Sequence, residues 1–463
     1  MIQVICRDEA YIYNAYHMTK AFYPSAEVVS RVEEKASNYV TVILDGKAVA
    51  SVPDEREKEQ KHRIDIILYR QLAERTGRTL SWGILTGVRP VKLAVKRLDE
   101  GMTKEEFIRW FGENYLVSKE KSELAWNIAV REKALLDKLD AKDGYSLYVG
   151  IPFCPTVCTY CSFSSGEWSF WKDRIDEYLD VLCRELRFIA EASEGKRLNT
   201  VYVGGGTPTT LSGAQLDRLL SCIDLYFPKE HLLEYTVEAG RPDSITREKL
   251  AVLKEHGITR ISINPQTMQQ KTLDVIGRKH TVEEVKGALL LARDMGFDNI
   301  NMDLIMGLPG ETMEEVKDTL RQIEDLPPDN LTVHSLAIKR AAKMERQDTK
   351  NAGCIGQMVE EAARSAGRMG MSPYYLYRQK NIAGNFENVG YAKAEKAGIY
   401  NILIMEEKQT IIAAGAGSVS KRVYPDGRIE RSENVKDVAQ YIERIGEMIE
   451  RKKHLLCISL SDR

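Results

Sequence analysis

The chain has 463 residues, long enough for a large core and two or three domains. Its 66 basic and 68 acidic residues leave a formal net charge of -2, so charge gives no case for a nucleic acid or an anionic membrane as partner. No apolar run reaches bilayer-spanning length, and the start, MIQVICRDEAY, lacks a basic region followed by an apolar stretch; a cytoplasmic protein with neither membrane nor nucleic-acid partner is expected.

Residues 1–140 read as a separate α+β region. IQVIC reads as a strand and residues 9–22 as a helix. AEVVSRVEE and YVTVILDGKAVASV alternate apolar with polar residues, and Asp45-Gly46 supplies a hairpin turn. A charged helix over 55–76 is ended by Gly77, then come the loop LSWGILTGVRPVKL and two helices over about 103–139. No catalytic motif stands out in this region.

From Tyr145 the pattern becomes strand–helix alternation. The strands are YSLYVGI, NTVYVGG, LEYTVEA, TRISINP, INMDLIM and LTVHSLAI, with amphipathic helices at 171–193, 212–225, 246–256, 281–295 and 312–325. Ser212, Thr246, Thr281 and Thr312 stand at N-cap positions, and Gly257 and Gly296 at helix ends. Six such units predict a parallel sheet with right-handed crossovers, and a partial (β/α)6 barrel or a doubly wound sheet fits the count. The unusual residues favour the barrel: the cysteine loop, Gly204-Gly205-Gly206-Thr207-Pro208, Glu238, Gln266, Gly307-Leu308-Pro309-Gly310, and His334 with Lys339 all fall at C-terminal strand ends, which a barrel gathers on one rim. The barrel region is therefore taken as 145–340.

Residues 341–463 read as a mixed α/β extension that covers the substrate. It has a helix near 354–369, the loop SPYYLYRQKNIAGNFENVG, strands around NILIMEE and TIIAAGAG, and a charged helix over 434–453.

Five of the eight cysteines, Cys6, Cys183, Cys222, Cys354 and Cys457, sit singly and read as reduced packing thiols. The other three form G-I-P-F-Cys154-P-T-V-Cys158-T-Y-Cys161. Zinc, a redox disulfide or an iron–sulfur cluster are the options. Structural zinc wants four ligands, and no fourth Cys or His lies nearby. A [4Fe-4S] cluster on three thiolates leaves one iron open to chelate the amino and carboxylate groups of S-adenosylmethionine (SAM), whose reductive cleavage frees a deoxyadenosyl radical. Cys-x3-Cys-x2-Cys is the radical SAM signature. Tyr160, the aromatic before the last cysteine, would lie near the adenine. The glycine run lets backbone approach a ligand closely, and the Glu238 carboxylate suits the ribose hydroxyls because it accepts from both.

Tyr148-x-x-Ile151-Pro152-Phe153-Cys154, the triad, GGGTP, Gln266, Arg278 and D-L-I-M-G-L-P resemble the oxygen-independent coproporphyrinogen III oxidase family. LTGVRPVKL, the NFENVG segment and IMEEKQTIIAAGAGSVSK look like its HemZ-type, coproporphyrinogen dehydrogenase branch. The resemblance implies oxidative decarboxylation of two propionates of coproporphyrinogen III to vinyls, with a low-potential donor such as flavodoxin or ferredoxin. It implies one or two SAM molecules, contacted by Tyr148, Tyr160, Gly205, Gly206 and Thr207, with Glu238 on the ribose and Gln266, Arg278 and Asp303 lining the SAM pocket or an adjacent one. A tetra-anionic substrate needs cations, for which Arg278, Lys279, Lys339, Arg340, Arg378 and Lys380 are candidates. One departure points elsewhere. Ser162-Phe163 follows Cys161 where the oxidase branch has a fourth cysteine two residues on, and the haem-chaperone branch has a C-x-F form as here. A haem-binding chaperone or a radical SAM haem-modifying enzyme is the alternative, with His334 as its candidate ligand.

Overall fold

The computed structural model describes residues 1–24, 26–53, 60–87, 89–139, 143–163, 165–337, 342, 344, 354–378 and 386–457. Of the candidate cations, Lys339, Arg340 and Lys380 lie outside the described residues.

The chain begins with a small sheet in the order β2-β1-β3-β4. It comprises β1 (Ile2–Cys6), β2 (Val28–Val32), β3 (Asn38–Leu44) and β4 (Lys47–Pro53), with α1 (Glu9–Phe22) and α2 (Gln60–Thr76) packed against it. Asp45 and Gly46 take φ of 49° and 78°, the left-handed pair that a two-residue hairpin turn demands. Apolar residues between Ile2 and Ile84 form one core.

Three helices follow, not two: α3 (Val91–Asp99), α4 (Lys104–Tyr115) and α5 (Lys119–Leu136). Thr103 and Ser118 cap the second and third with their side chains. Pro90 stands before α3 with no side-chain cap, so the sequence carried no polar start signal for it. Val91, Ala94, Phe107, Phe111 and Trp126 share a second, larger core with Leu147 and Val149 of the main sheet.

That sheet is built from β5 (Gly144–Ile151), β8 (Arg197–Gly205), β9 (Glu234–Glu238), β10 (Arg260–Ser262), β11 (Ile300–Met306) and β12 (Asn330–Ser335), neighbours in chain order and all parallel. Between β5 and β8 lie the short pair β6 (Phe153–Cys154) and β7 (Gly166–Glu167), then α6 (Trp168–Trp171) and α7 (Ile175–Ala192). The later crossovers are α8 (Gly213–Tyr226), α9 (Arg247–Glu255), α10 (Gln270–Val275) with α11 (Val282–Asp294), and α12 (Met313–Asp325). Ser212, Thr246, Thr281 and Thr312 each accept a first-turn N–H. Gly257 and Gly296 end helices at φ of 75° and 79°, where a side chain would be strained. The fold is the partial barrel of six β/α units.

The C-terminal third extends this sheet at both edges. After α13 (Ile355–Arg368), β13 (Ser372–Tyr377) and β14 (Asn388–Ala392) add antiparallel beyond β12. Then α14 (Ile399–Glu406) leads to β15 (Thr410–Ala414), which pairs parallel with β5, and to β16 (Val419–Val423) and β17 (Ile429–Glu433). The chain closes with α15 (Val438–Glu443) and α16 (Ile445–Cys457). Three readings of this region are corrected. SPYYLY and NVGYA are strands inside the expected loop. The apolar run in NILIMEE, expected as a strand, is helical; a short apolar run does not distinguish the two. The terminal helix is two pieces broken at Arg444. No helix among the described residues is long and apolar enough to cross a membrane.

Candidate active site

A cavity of about 240 Å³ opens at the C-terminal ends of the barrel strands. Cys154, Cys158 and Cys161 form one wall, on the loop between β5 and α6. Hydrogen bonds fix that loop. Thr159 N–H donates to Ile276 O at 3.0 Å and the Thr156 hydroxyl to Gly277 O at 3.1 Å. Arg241 Nη1 donates to Thr156 Oγ1 at 3.0 Å, while its Nε and Nη2 are clamped on the Asp243 carboxylate at 2.9 and 2.7 Å. Burial pushes the Cys154 and Cys161 thiols above their ordinary range. Buried thiols resist losing a proton unless a cation compensates the thiolate, as bound iron does.

The glycine run ties the next strand to the first cysteine. Gly206 N–H donates to Ile151 O at 2.8 Å and Thr207 N–H to Phe153 O at 2.7 Å. The Thr207 hydroxyl reaches Cys154 Sγ at 3.6 Å. Gly205 has φ of 110°. A Cβ on Gly206 would sit 2.6 Å from Phe153 O, and one on Gly204 would sit 2.8 Å from Glu238 Oε2. Only glycine permits this approach.

Glu238, Gln266, Arg278 and Asp303 line the same cavity, as do Tyr160, Gly205, Gly206 and Thr207. The Tyr202 hydroxyl donates to Glu238 Oε1 at 2.5 Å. Burial pushes the Glu238 carboxyl up to about 7, against the pull of that hydrogen bond. Gln266 takes φ of 69°, with its N–H on Asp303 O and its carbonyl accepting from Ile305 N–H, both at 2.9 Å. Arg278 donates to the Asn264 and Pro265 carbonyls. Asn301 Nδ2 donates to Asp303 Oδ1 at 2.8 Å, and His334 Nε2 stands 3.7 Å from Asp303 Oδ2.

Three expected residues stand elsewhere. Tyr148 lies behind Gly205, in a stack with Tyr202 and Tyr400 at ring separations of 6.2 Å. Lys279 is exposed and is not in the cavity wall. Arg378 is buried and donates to Leu85 O at 2.7 Å and Gly87 O at 3.4 Å, which commits it to the seam with the N-terminal region. Arg241, Asn264, Tyr202 and Tyr377 were not singled out from the sequence. Arg241 could have been, since it follows a strand end already marked by Glu238; Tyr377 was hidden in a segment read as loop.

The wall suits a polar ligand. Gln266 Oε1, Asn264 Oδ1 and Arg278 Nε are buried without a hydrogen-bond partner, which is costly unless a ligand satisfies them. The thiols suit a cluster better than one ion. A [4Fe-4S] cluster takes its thiolates on separate irons, as three thiols on one loop allow.

Residues 148–323 match the radical SAM superfamily. The chain is 45% identical over 405 residues to the oxygen-independent coproporphyrinogen-III oxidase-like protein HemZ of Bacillus subtilis, covering 85% of this chain and 81% of that protein. It is 32% identical over 303 residues to the heme chaperone HemW of the same organism, covering 65% and 76%. Among solved structures, coproporphyrinogen III oxidase (HemN) from Escherichia coli superposes with a TM-score of 0.55 at 23% identity, over 69% of this chain and 72% of that one, a likeness of fold.

Proposed function

Because this chain belongs to the oxygen-independent coproporphyrinogen-III oxidase-like family of radical SAM proteins, we propose that it oxidatively decarboxylates propionate arms of coproporphyrinogen III to vinyl groups. Its cofactors are a [4Fe-4S] cluster and SAM. When bound, they supply an oxidising radical that takes a hydrogen atom from a propionate β-carbon. Loss of carbon dioxide and one electron to an acceptor then leaves the vinyl, and a low-potential donor such as flavodoxin or ferredoxin restores the reductant.

The chain's own residues bind and orient. Cys154, Cys158 and Cys161 hold the cluster as thiolates. Gly205, Gly206 and Thr207 present close backbone to SAM, Glu238 takes the ribose hydroxyls, and Tyr160 covers the adenine. Gln266, Arg278 and Asn264 offer the polar atoms that have no protein partner. Positioning of this kind accounts for a large part of a barrier otherwise set by encounter and orientation.

The observation that carries this reading is the reach of the similarity: 405 residues at 45% identity extend far beyond the barrel. The test is anaerobic turnover of reconstituted protein with reductant, SAM and coproporphyrinogen III. Mass spectrometry should show loss of one and then two carboxyl groups, with deoxyadenosine formed in step. SAM cleavage without carboxyl loss would sink the proposal. It would favour the second reading, haem handling, which rests on the HemW similarity and on His334 in the cavity wall. Haem titration would then give a stoichiometric complex.

A further inference from the structure

Two cysteines outside the cavity meet across a helix seam. Cys183 lies on α7 and Cys222 on α8, the crossover helices before and after β8, which pack against each other. A row of contacts along the seam fixes their register. Gln215 Nε2 donates to Asp176 Oδ1 at 3.1 Å, and one turn on Arg218 donates to Asp180. The next turn brings Cys222 to Cys183, whose thiols share a hydrogen bond, and the turn after that brings Tyr226 into electrostatic reach of Arg187. Each step advances three or four residues on both helices, the spacing of one helix face. The helices therefore run parallel, and the two thiols stand on one rung.

Both thiols are free and half-buried, within reach of a small reagent. Residues that face each other across packed helices come within the roughly 4.4–6.8 Å between Cα atoms that a disulfide bridges. The two thiols are not equivalent. The Cys222 S–H donates to the Cys183 sulfur, and with the Arg218 guanidinium it holds the Cys183 thiol below its ordinary range, against burial and Asp180. Giving that hydrogen bond, and burial, push the Cys222 thiol above its own. A favoured thiolate beside a thiol that resolves its mixed disulfide is the arrangement that thiol–disulfide exchange needs.

We propose that Cys183 and Cys222 form a redox-modification site, which exchanges with a low-molecular-weight disulfide and closes into a Cys183–Cys222 bond. The Cys183 thiolate attacks one sulfur of the reagent. The reagent's S–S bond breaks, a mixed disulfide forms, and one thiolate leaves and takes up the proton that Cys183 lost. Cys222 then gives up its proton and attacks the Cys183 sulfur. The protein disulfide forms, and the second thiolate leaves with that proton. The protein dithiol is oxidised by two electrons and the reagent is reduced to two thiols. The ring so closed runs from residue 183 to residue 222 and contains β8 with its glycine run. It ties the first two β/α units together without using a cluster thiol.

The test treats cluster-reconstituted protein with oxidised glutathione under anaerobic conditions, with Cys154, Cys158 and Cys161 occupied by the cluster. Remaining thiols are then alkylated, and the digest is read by mass spectrometry. A linked peptide pair joining Cys183 to Cys222 is expected in most chains, with the cluster absorption unchanged and both thiols recovered by dithiothreitol. Cys222→Ser should trap Cys183 as a mixed disulfide with glutathione. Cys183→Ser should leave Cys222 about tenfold slower to form one, because its thiol is held protonated. Two alkylated cysteines with no linked pair would overturn the proposal, as would links spread without preference over Cys6, Cys354 and the pair. Equal rates in the two serine variants would overturn the assignment of Cys183 as the attacking thiolate. The measurement needs neither substrate nor turnover, so its outcome is separate from that of the decarboxylase reading.

Discussion

The Lys452 ammonium stands 2.6 Å from the Glu185 carboxylate, and neither side chain is exposed. Lys452 also donates to Asn434 Oδ1 at 2.6 Å, while Glu185 accepts from the Tyr441 hydroxyl at 2.6 Å and from Gly415 N–H at 2.8 Å. The pair pins α16 and the turn after β15 onto α7. Removing one charge strands the other in the core. Lys452→Met should cost roughly 3–5 kcal/mol in denaturant unfolding. Adding Glu185→Gln should recover part of it, since an amide needs no counter-charge. A single variant within about 1 kcal/mol of wild type would show that the pair is not what secures this helix.

Gly206 is where bulk should disturb the cluster site without touching a thiol. Its missing Cβ would stand 2.6 Å from Phe153 O and 2.9 Å from Phe153 N, one residue before Cys154. Backbone cannot yield as a flexible side chain can. Gly206→Ala should therefore lower iron content after reconstitution, whereas Gly287→Ala, with open space around its Cβ position, should not. Equal iron in both variants would separate the strap from the cysteine loop.

The cysteines make a sharper comparison. Cys154→Ala, Cys158→Ala and Cys161→Ala should each abolish binding of about four irons per chain. Cys183→Ala should retain them, because Cys183 lies on α7 in contact with Cys222 and does not line the cavity. Zinc in place of iron in the anaerobically purified protein would defeat the cluster assignment.

Glu238 gives a pH signature in the cofactor-free protein. Its folded pKa, about 7, lies above the ordinary value of 4.5. The stabilising contribution is thus fully present below about pH 4.5 and is lost as pH rises through about 7. Glu238→Gln should remove that slope, so the variant should gain on wild type by a few kcal/mol between about pH 5 and about pH 8 in chemical denaturation. In the reconstituted protein, Glu238→Ala should weaken SAM binding by roughly 1.5–3 kcal/mol. Parallel pH profiles, or unaltered SAM affinity, would contradict the respective half of this prediction.

Much of the scaffold was legible because its signals are local. Ser212, Thr246, Thr281 and Thr312 announce helix starts with their own hydroxyls, and Asp45-Gly46 announces its turn through backbone freedom. The elements that escaped lack such signals. The α3 helix starts at Pro90 with no polar cap, and NILIMEE is apolar in a way that suits either state; its partners are distant, with Tyr400 stacked 4.4 Å from Tyr202. The site divides the same way. The cysteines and glycines carry their chemistry in their spacing, whereas the surroundings of the isolated residues Arg378 and His334, marked in the sequence only as a candidate cation and a strand-end residue, show only when the fold brings Arg378 to Leu85 and His334 to Tyr377.

The neighbour of β5 in the sheet, on the side away from β8, is β15, drawn from Thr410–Ala414 near the far end of the chain. A ribosome makes β5 and its cysteines long before it makes that partner, and N-terminal segments emerge first. Until then one edge of β5, the strand that leads into the cysteine loop, is an open ladder, a surface prone to pairing with other chains. Synthesis thus sets an order of events. The β5–β8 pairing can form first, and the β15 pairing that closes the other edge of β5 must follow it.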